Sequence, residues 1–121
     1  MGAACSDAGR YAQAESTLNR ALSLNGEINA TRINLGRVKI AARRYPEAAR
    51  VLQEAIDRDP DALDARALLA RCLAATGRTD DAFSQLQIVA QSSPPLASQT
   101  LEERELAPLH NDPRYRALAG R

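Results

Sequence analysis

Few residues in this sequence could do chemistry, and their spacing argues against catalysis. The single histidine, His110, stands between Pro108 and Pro113 with no Ser, Cys or Asp pattern that would make it a base or a nucleophile's partner. Cys5 and Cys72 match no metal or redox spacing and read as two small, reduced core thiols. Asp61, Asp64, Asp80 and Asp81 fall near expected helix starts, where a carboxylate complements the helix dipole. There is no glycine-rich phosphate loop and no zinc spacing. The opening MGAACS formally fits an N-myristoylation pattern, with Cys5 as a second acylation site. The repeat register below gives the same residues a helical role, which is the preferred reading. The expectation is therefore no enzyme, no cofactor and no metal.

What the sequence does carry is repetition. Ala14, Ala48 and Ala82 are each 34 residues apart, and so are Leu18, Leu52 and Leu86. The same offset relates Ala21, Ala55 and Val89, then Arg10, Arg44 and Arg78, then Tyr11 and Tyr45. It also relates Leu35 to Leu69, Gly36 to Ala70, Arg37 to Arg71 and Pro60 to Pro94. Each unit reads as two helices. Helices are expected over residues 29–42 and 46–58 in one unit, and over 61–75 and 80–91 in the next. Ala48, Val51, Leu52, Ala55 and Ile56 recur at helical spacing and form one apolar stripe. Pro46 suits a first helical turn, where its missing N–H is no loss. Asp59-Pro60 and Ser93-Pro94-Pro95 read as stops. Gly77 fits a left-handed C-terminal cap, and Thr79 a helix N-cap.

Composition supports an all-α domain. Hydrophobic residues make up 45% of the chain but aromatics only 3%, so the core must be built from Ala, Leu, Ile and Val. Ala, Leu, Arg, Glu and Gln are good helix formers. A net charge of +1 with mixed signs lacks the basic stripe of a nucleic-acid protein. No apolar run approaches the roughly 20 residues of a membrane span, and no signal peptide is evident.

Small residues have a mechanical role in this pattern. Gly36 with Ala48, and Ala70 with Ala82, stand where the two helices of a pair would cross. Leu35, Leu52, Leu69 and Leu86 then fill the layer between pairs. One such unit cannot bury its apolar face alone, so the units must stack.

The 34-residue period, Leu35-Gly36, Ala48 with Leu52, Ala55 and Pro60 together resemble the tetratricopeptide repeat family. Leu69-Ala70, Ala82 with Leu86, and Pro94 continue the resemblance, which covers roughly residues 1–94. One departure stands out: Arg32 and Lys39, then Arg66 and Leu73, occupy first-helix positions where the family usually has aromatics. The resemblance implies a right-handed superhelical solenoid with a concave groove that binds segments of other proteins. Its organisation is expected to be repeats over 1–95, divided as 1–28, 29–62 and 63–95, followed by capping helices over 96–121. By register the first repeat would hold only the last half of its first helix, and a complete second helix over about residues 11–24. Leu18, Ala21 and Leu22 would then form a partly exposed apolar edge that favours self-association into a homo-oligomer.

The resemblance also implies which residues line the groove. In the central unit these are Ile33, Asn34, Arg37, Ile40 and Ala41. In the next they are Ala67, Leu68, Arg71, Ala74 and Ala75. Arg37 and Arg71 would share one wall and suit an acidic peptide, because Arg binds carboxylate bidentately. The carboxylate clamp of chaperone-tail-binding members is not expected, since only Asn34 fits it and Asp64 and Leu68 stand at positions that need basic residues. In the tail, residues 96–106 are helix-compatible, with Glu102, Glu103 and Glu105 on the wet side. Asp112-Pro113 reads as a new helix start, and Tyr115 and Leu118 can face the stack. The expected function is a non-catalytic protein–protein interaction module or scaffold. The alternatives are an accessory module of a larger enzyme or signalling protein, and self-assembly through the N-terminal edge. Ala/Arg-rich composition and the tail suggest a bacterial, cytoplasmic setting.

Overall fold

The computed structural model describes the backbone of residues 2–25 and 28–119, and the side chains of residues 9–25 and 28–118. All regular structure there is helical: α1 (Gly2–Leu24), α2 (Asn29–Ala41), α3 (Tyr45–Arg58), α4 (Leu63–Ala75), α5 (Thr79–Ser92) and α6 (Pro94–Leu101). A 3-10 helix (Arg104–Leu109) and α7 (Pro113–Ala119) follow. Each helix from α1 to α6 packs on the next, and α4 also touches α2 and α6. The first helices of successive pairs therefore share one side of the stack.

Close approach within a pair depends on a missing side chain. A Cβ added to Gly36 would lie 2.6 Å from Leu52 Cδ2 and 2.7 Å from its Cγ. Leu52 is itself fully buried. Ala48, Ala70 and Ala82 are likewise fully buried where α2 meets α3 and α4 meets α5. Leu35, Leu69, Leu86 and Phe83 fill the layers around them. Each large side chain buried this way contributes on the order of 2 kcal/mol.

The two reversals between paired helices use the same hydrogen bonds with different residues. After α4, Gly77 adopts φ +81°, Arg78 N–H donates to the Leu73 carbonyl at 2.8 Å, and Gly77 N–H to Ala74 at 3.3 Å. After α2, Arg43 takes the left-handed role at φ 63°, with Arg44 N–H donating to Lys39 at 2.8 Å and Arg43 N–H to Ile40 at 2.9 Å. Both are Schellman closures. A side-chain-bearing residue in this conformation costs about 1 kcal/mol that glycine avoids.

Four expectations need correction. α1 is one continuous helix through Gly2–Leu24, not a half helix, a turn near Arg10 and a second helix. Gly9 occupies the register position of Arg43 and Gly77 but lies inside α1, and a reversal there would need both arms to bury a shared face. Thr79 lies within α5, whose N-cap is Arg78 with no side-chain cap hydrogen bond. Pro94 and Pro95 do more than stop α5: they form the first turn of α6, which their fixed φ favours. The helix expected over 96–106 instead ends at Leu101 and resumes as the 3-10 helix. Leu18, Ala21 and Leu22 are half-buried, and Leu24 beyond them is exposed. Replacing Gly36 with Ala should lower stability by about 2 kcal/mol, despite Ala's better helix propensity, because Leu52 must shift. Arg43→Gly should raise stability by about 0.5 kcal/mol, and Gly77→Ala should lower it by about 1 kcal/mol. Urea unfolding midpoints check all three.

Candidate functional site

The side shared by α2, α4 and α6 is partly filled by the chain's own tail. The 3-10 helix packs on α4, burying Leu106 and Leu109 in the same core cluster as Ile40 and Leu73. This burial carries Glu105 inward, leaving it only 5% exposed. Its Oε1 accepts from Arg71 Nε at 3.0 Å and its Oε2 from the Tyr45 hydroxyl at 3.0 Å. Glu105 was expected on the wet side of a continuous helix. The break after Leu101 rotates it under the tail instead. Glu103 remains partly exposed, with an oxygen 3.7 Å from Arg71 Nη2.

Burial by itself would raise the Glu105 carboxyl. The hydrogen bond and charge of Arg71, with a backbone N–H and the Tyr45 hydroxyl, outweigh it and hold the group below the usual carboxylate range. Burial, then the hydrogen bond to Glu105, pushes Tyr45 up. Breaking one arm of a desolvated pair costs more than the pair contributes net, because it strands the other charge.

The groove candidates fall into three groups. Asn34, Arg37, Ala41 and Ala75 are exposed. Ile33 is half-buried against the core. Ile40, Ala67, Leu68 and Ala74 are buried, and Arg71 is held by Glu105. Arg37 has no ion pair or hydrogen bond among the described residues. Arg37 and Arg71 do line one cavity of about 160 Å³, together with Asp64, Leu68, Gln99, Thr100 and Glu103 among others. Sequence reasoning missed Tyr45 and Glu105. One signal was present: Glu105 follows Arg71 by 34 residues, so it continues the Arg37–Arg71 series into the tail.

Cys72 is buried in the core, which pushes its thiol up to about 12 and leaves it protonated at neutral pH. The expectation for the Cys5 thiol lies outside the described side chains. The His110 ring lies 4.4 Å from that of Tyr115, whose hydroxyl donates to the Leu101 carbonyl at 3.2 Å. Asp112 caps α7 as expected, accepting from Arg114 N–H at 2.9 Å. Arg114 also reaches Asp80 at 2.8 Å and lies over Phe83. Asp64, Asp80 and Asp81 do occupy first helical turns, whereas Asp61 precedes α4. Among the described residues, no group of three His, Cys, Asp or Glu side chains converges on a metal site. No described helix is long and apolar enough to cross a membrane.

Glu105→Gln should lower stability at neutral pH by about 2 kcal/mol, because a hydrogen bond to a charged group is lost in a buried setting. The depressed carboxyl gives stability above its unfolded pKa of about 4.3, lost as pH falls through the folded value. The variant should therefore show a flatter acid limb below about pH 4 in thermal melts recorded against pH.

Comparison with known proteins supports the same reading. A family profile described as the tetratricopeptide repeat matches residues 33–97, and a second profile of that repeat matches residues 1–28. No curated protein matches the chain. The longer match runs from within α2 into α6, including both Schellman reversals and the Gly36 crossing. It covers more than half of the 121 residues, and the chain belongs to the tetratricopeptide repeat family.

Proposed function

We propose that this chain is a non-catalytic module that binds an extended segment of another protein along the free part of the α2–α4–α6 face. Repeats of this family are generally protein–protein interaction modules, and the finer assignment rests on one observation. Arg37 is exposed, has no partner among the described residues and lines a cavity with Arg71, Gln99 and Thr100. A guanidinium in that setting anchors a carboxylate on the incoming segment. Asn34, exposed on the same helix, and Gln99 across the cavity supply amides for its main chain. Ala41 adds a small surface that leaves room for the chain to pass. Arg37 is the principal anchor, because Arg71 already donates a hydrogen bond to Glu105.

Peptide-array selection tests this reading. Wild type should select peptides that contain Asp or Glu, and Arg37→Glu should lose that selection with an unchanged melting temperature. Arg50→Glu on α3, as a charge-matched control, should bind like wild type. Selection that ignores acidic residues, or that survives Arg37→Glu, would reject the site.

A further inference from the structure

The cavity beside Arg37 already contains a carboxylate, and its position differs from that of Glu105. Glu105 is locked: its side chain accepts two hydrogen bonds at 3.0 Å, and Leu106 and Leu109 on the same turn are core residues. Glu103 is held only by its backbone. Its N–H donates to the Thr100 carbonyl at 3.0 Å, and its carbonyl accepts from Leu106 N–H at 3.0 Å. Its side chain is 45% exposed, lines the cavity, and approaches Arg71 Nη2 at 3.7 Å, too long for a hydrogen bond. A rotamer change therefore frees the outer edge of Arg71 without moving the tail.

We propose that Glu103 is a built-in competitor for this cavity, displaced from Arg71 when an acidic segment of a partner protein spans Arg37 and Arg71. This rests on the binding reading above and adds its regulation. The partner's carboxylate replaces Glu103 at the outer edge of Arg71, while Glu105 keeps the inner edge and the tail stays folded. The weak Glu103 contact sets an affinity threshold: only a segment that engages Arg37 as well gains enough to displace it. Asp64 lines the same cavity without contacting Arg71, so it provides a control of equal charge.

The test is fluorescence anisotropy of a labelled, end-capped octapeptide of alternating glutamate and alanine, titrated with the full chain. Glu103→Gln should bind about threefold more tightly than wild type, the scale of one exposed ion pair removed from competition. Asp64→Asn should tighten binding less, and Arg37→Glu should weaken it. Equal effects of Glu103→Gln and Asp64→Asn would reduce Glu103 to general repulsion and overturn the inference, while loss on Arg37→Glu would leave the binding reading intact. No binding to either wild type or Glu103→Gln would overturn both.

Discussion

The close crossing of α2 over α3 at Gly36 is the constraint on which the rest of the structure depends. Leu52 fills the space a Cβ would take, and both residues are buried. That contact sets the separation of the pair, and the separation fixes where Ile40 joins the core residues of the next pair. Interiors are close-packed, so an error at one crossing would pass along the stack. The next pair solves the same problem with Ala70 and Ala82, both fully buried. Because the crossings hold α2 and α4 in a common register, Arg37 and Arg71 reach the same cavity.

A stack of helix pairs must be closed at its end, and here closure and site formation are one event. The tail covers α4 and α5 with Leu101, Leu106 and Leu109. Covering apolar surface this way forces the intervening Glu105 inside, which is tolerable only because Arg71 and Tyr45 complete its hydrogen bonds. One guanidinium is thereby committed to structure. The equivalent one, Arg37, has no hydrogen bond or ion pair among the described residues, although Gln99, Thr100 and Glu103 of the tail line the same cavity. The asymmetry between two register-equivalent arginines thus comes from how the end of the stack is covered.

Polar side chains stand at three of the four first-helix positions where the family has aromatics, and Leu73 at the fourth. Lys39 meets Glu15 of α1 at 3.7 Å, and Arg44 reaches the same carboxylate at 3.2 Å. Arg32 lies 4.0 Å from Glu54, while its buried Nη1 has no partner among the described residues. Arg66 donates to Gln85 at 3.0 Å and to the Pro60 carbonyl at 2.9 Å. The Arg32 and Lys39 side chains are each only 12% exposed, so their charges lie largely within the stack. These side chains join helices with directional contacts of modest net energy, where an aromatic would have contributed buried area.

The sequence by itself determined the helix pairs, their crossings and one reversal. Those depend on local rules: small residues at a fixed offset, leucines between them, and Gly77 where a left-handed residue is needed. Arg43 was not legible as the matching reversal, since its unfavourable φ is imposed by the packing of α2 on α3. Nor was the continuity of α1, because Gly9 turns only if a second helix demands it. At the candidate site, the shared placement of Arg37 and Arg71 was legible from the period. The pairing of those residues was not. Glu105 joins Arg71 because burial of Leu106 and Leu109 brings the tail back onto α4, a long-range apolar contact that no local pattern encodes. Periodicity fixes which residues share a face, while tertiary packing decides which charges on that face are satisfied and which remain free.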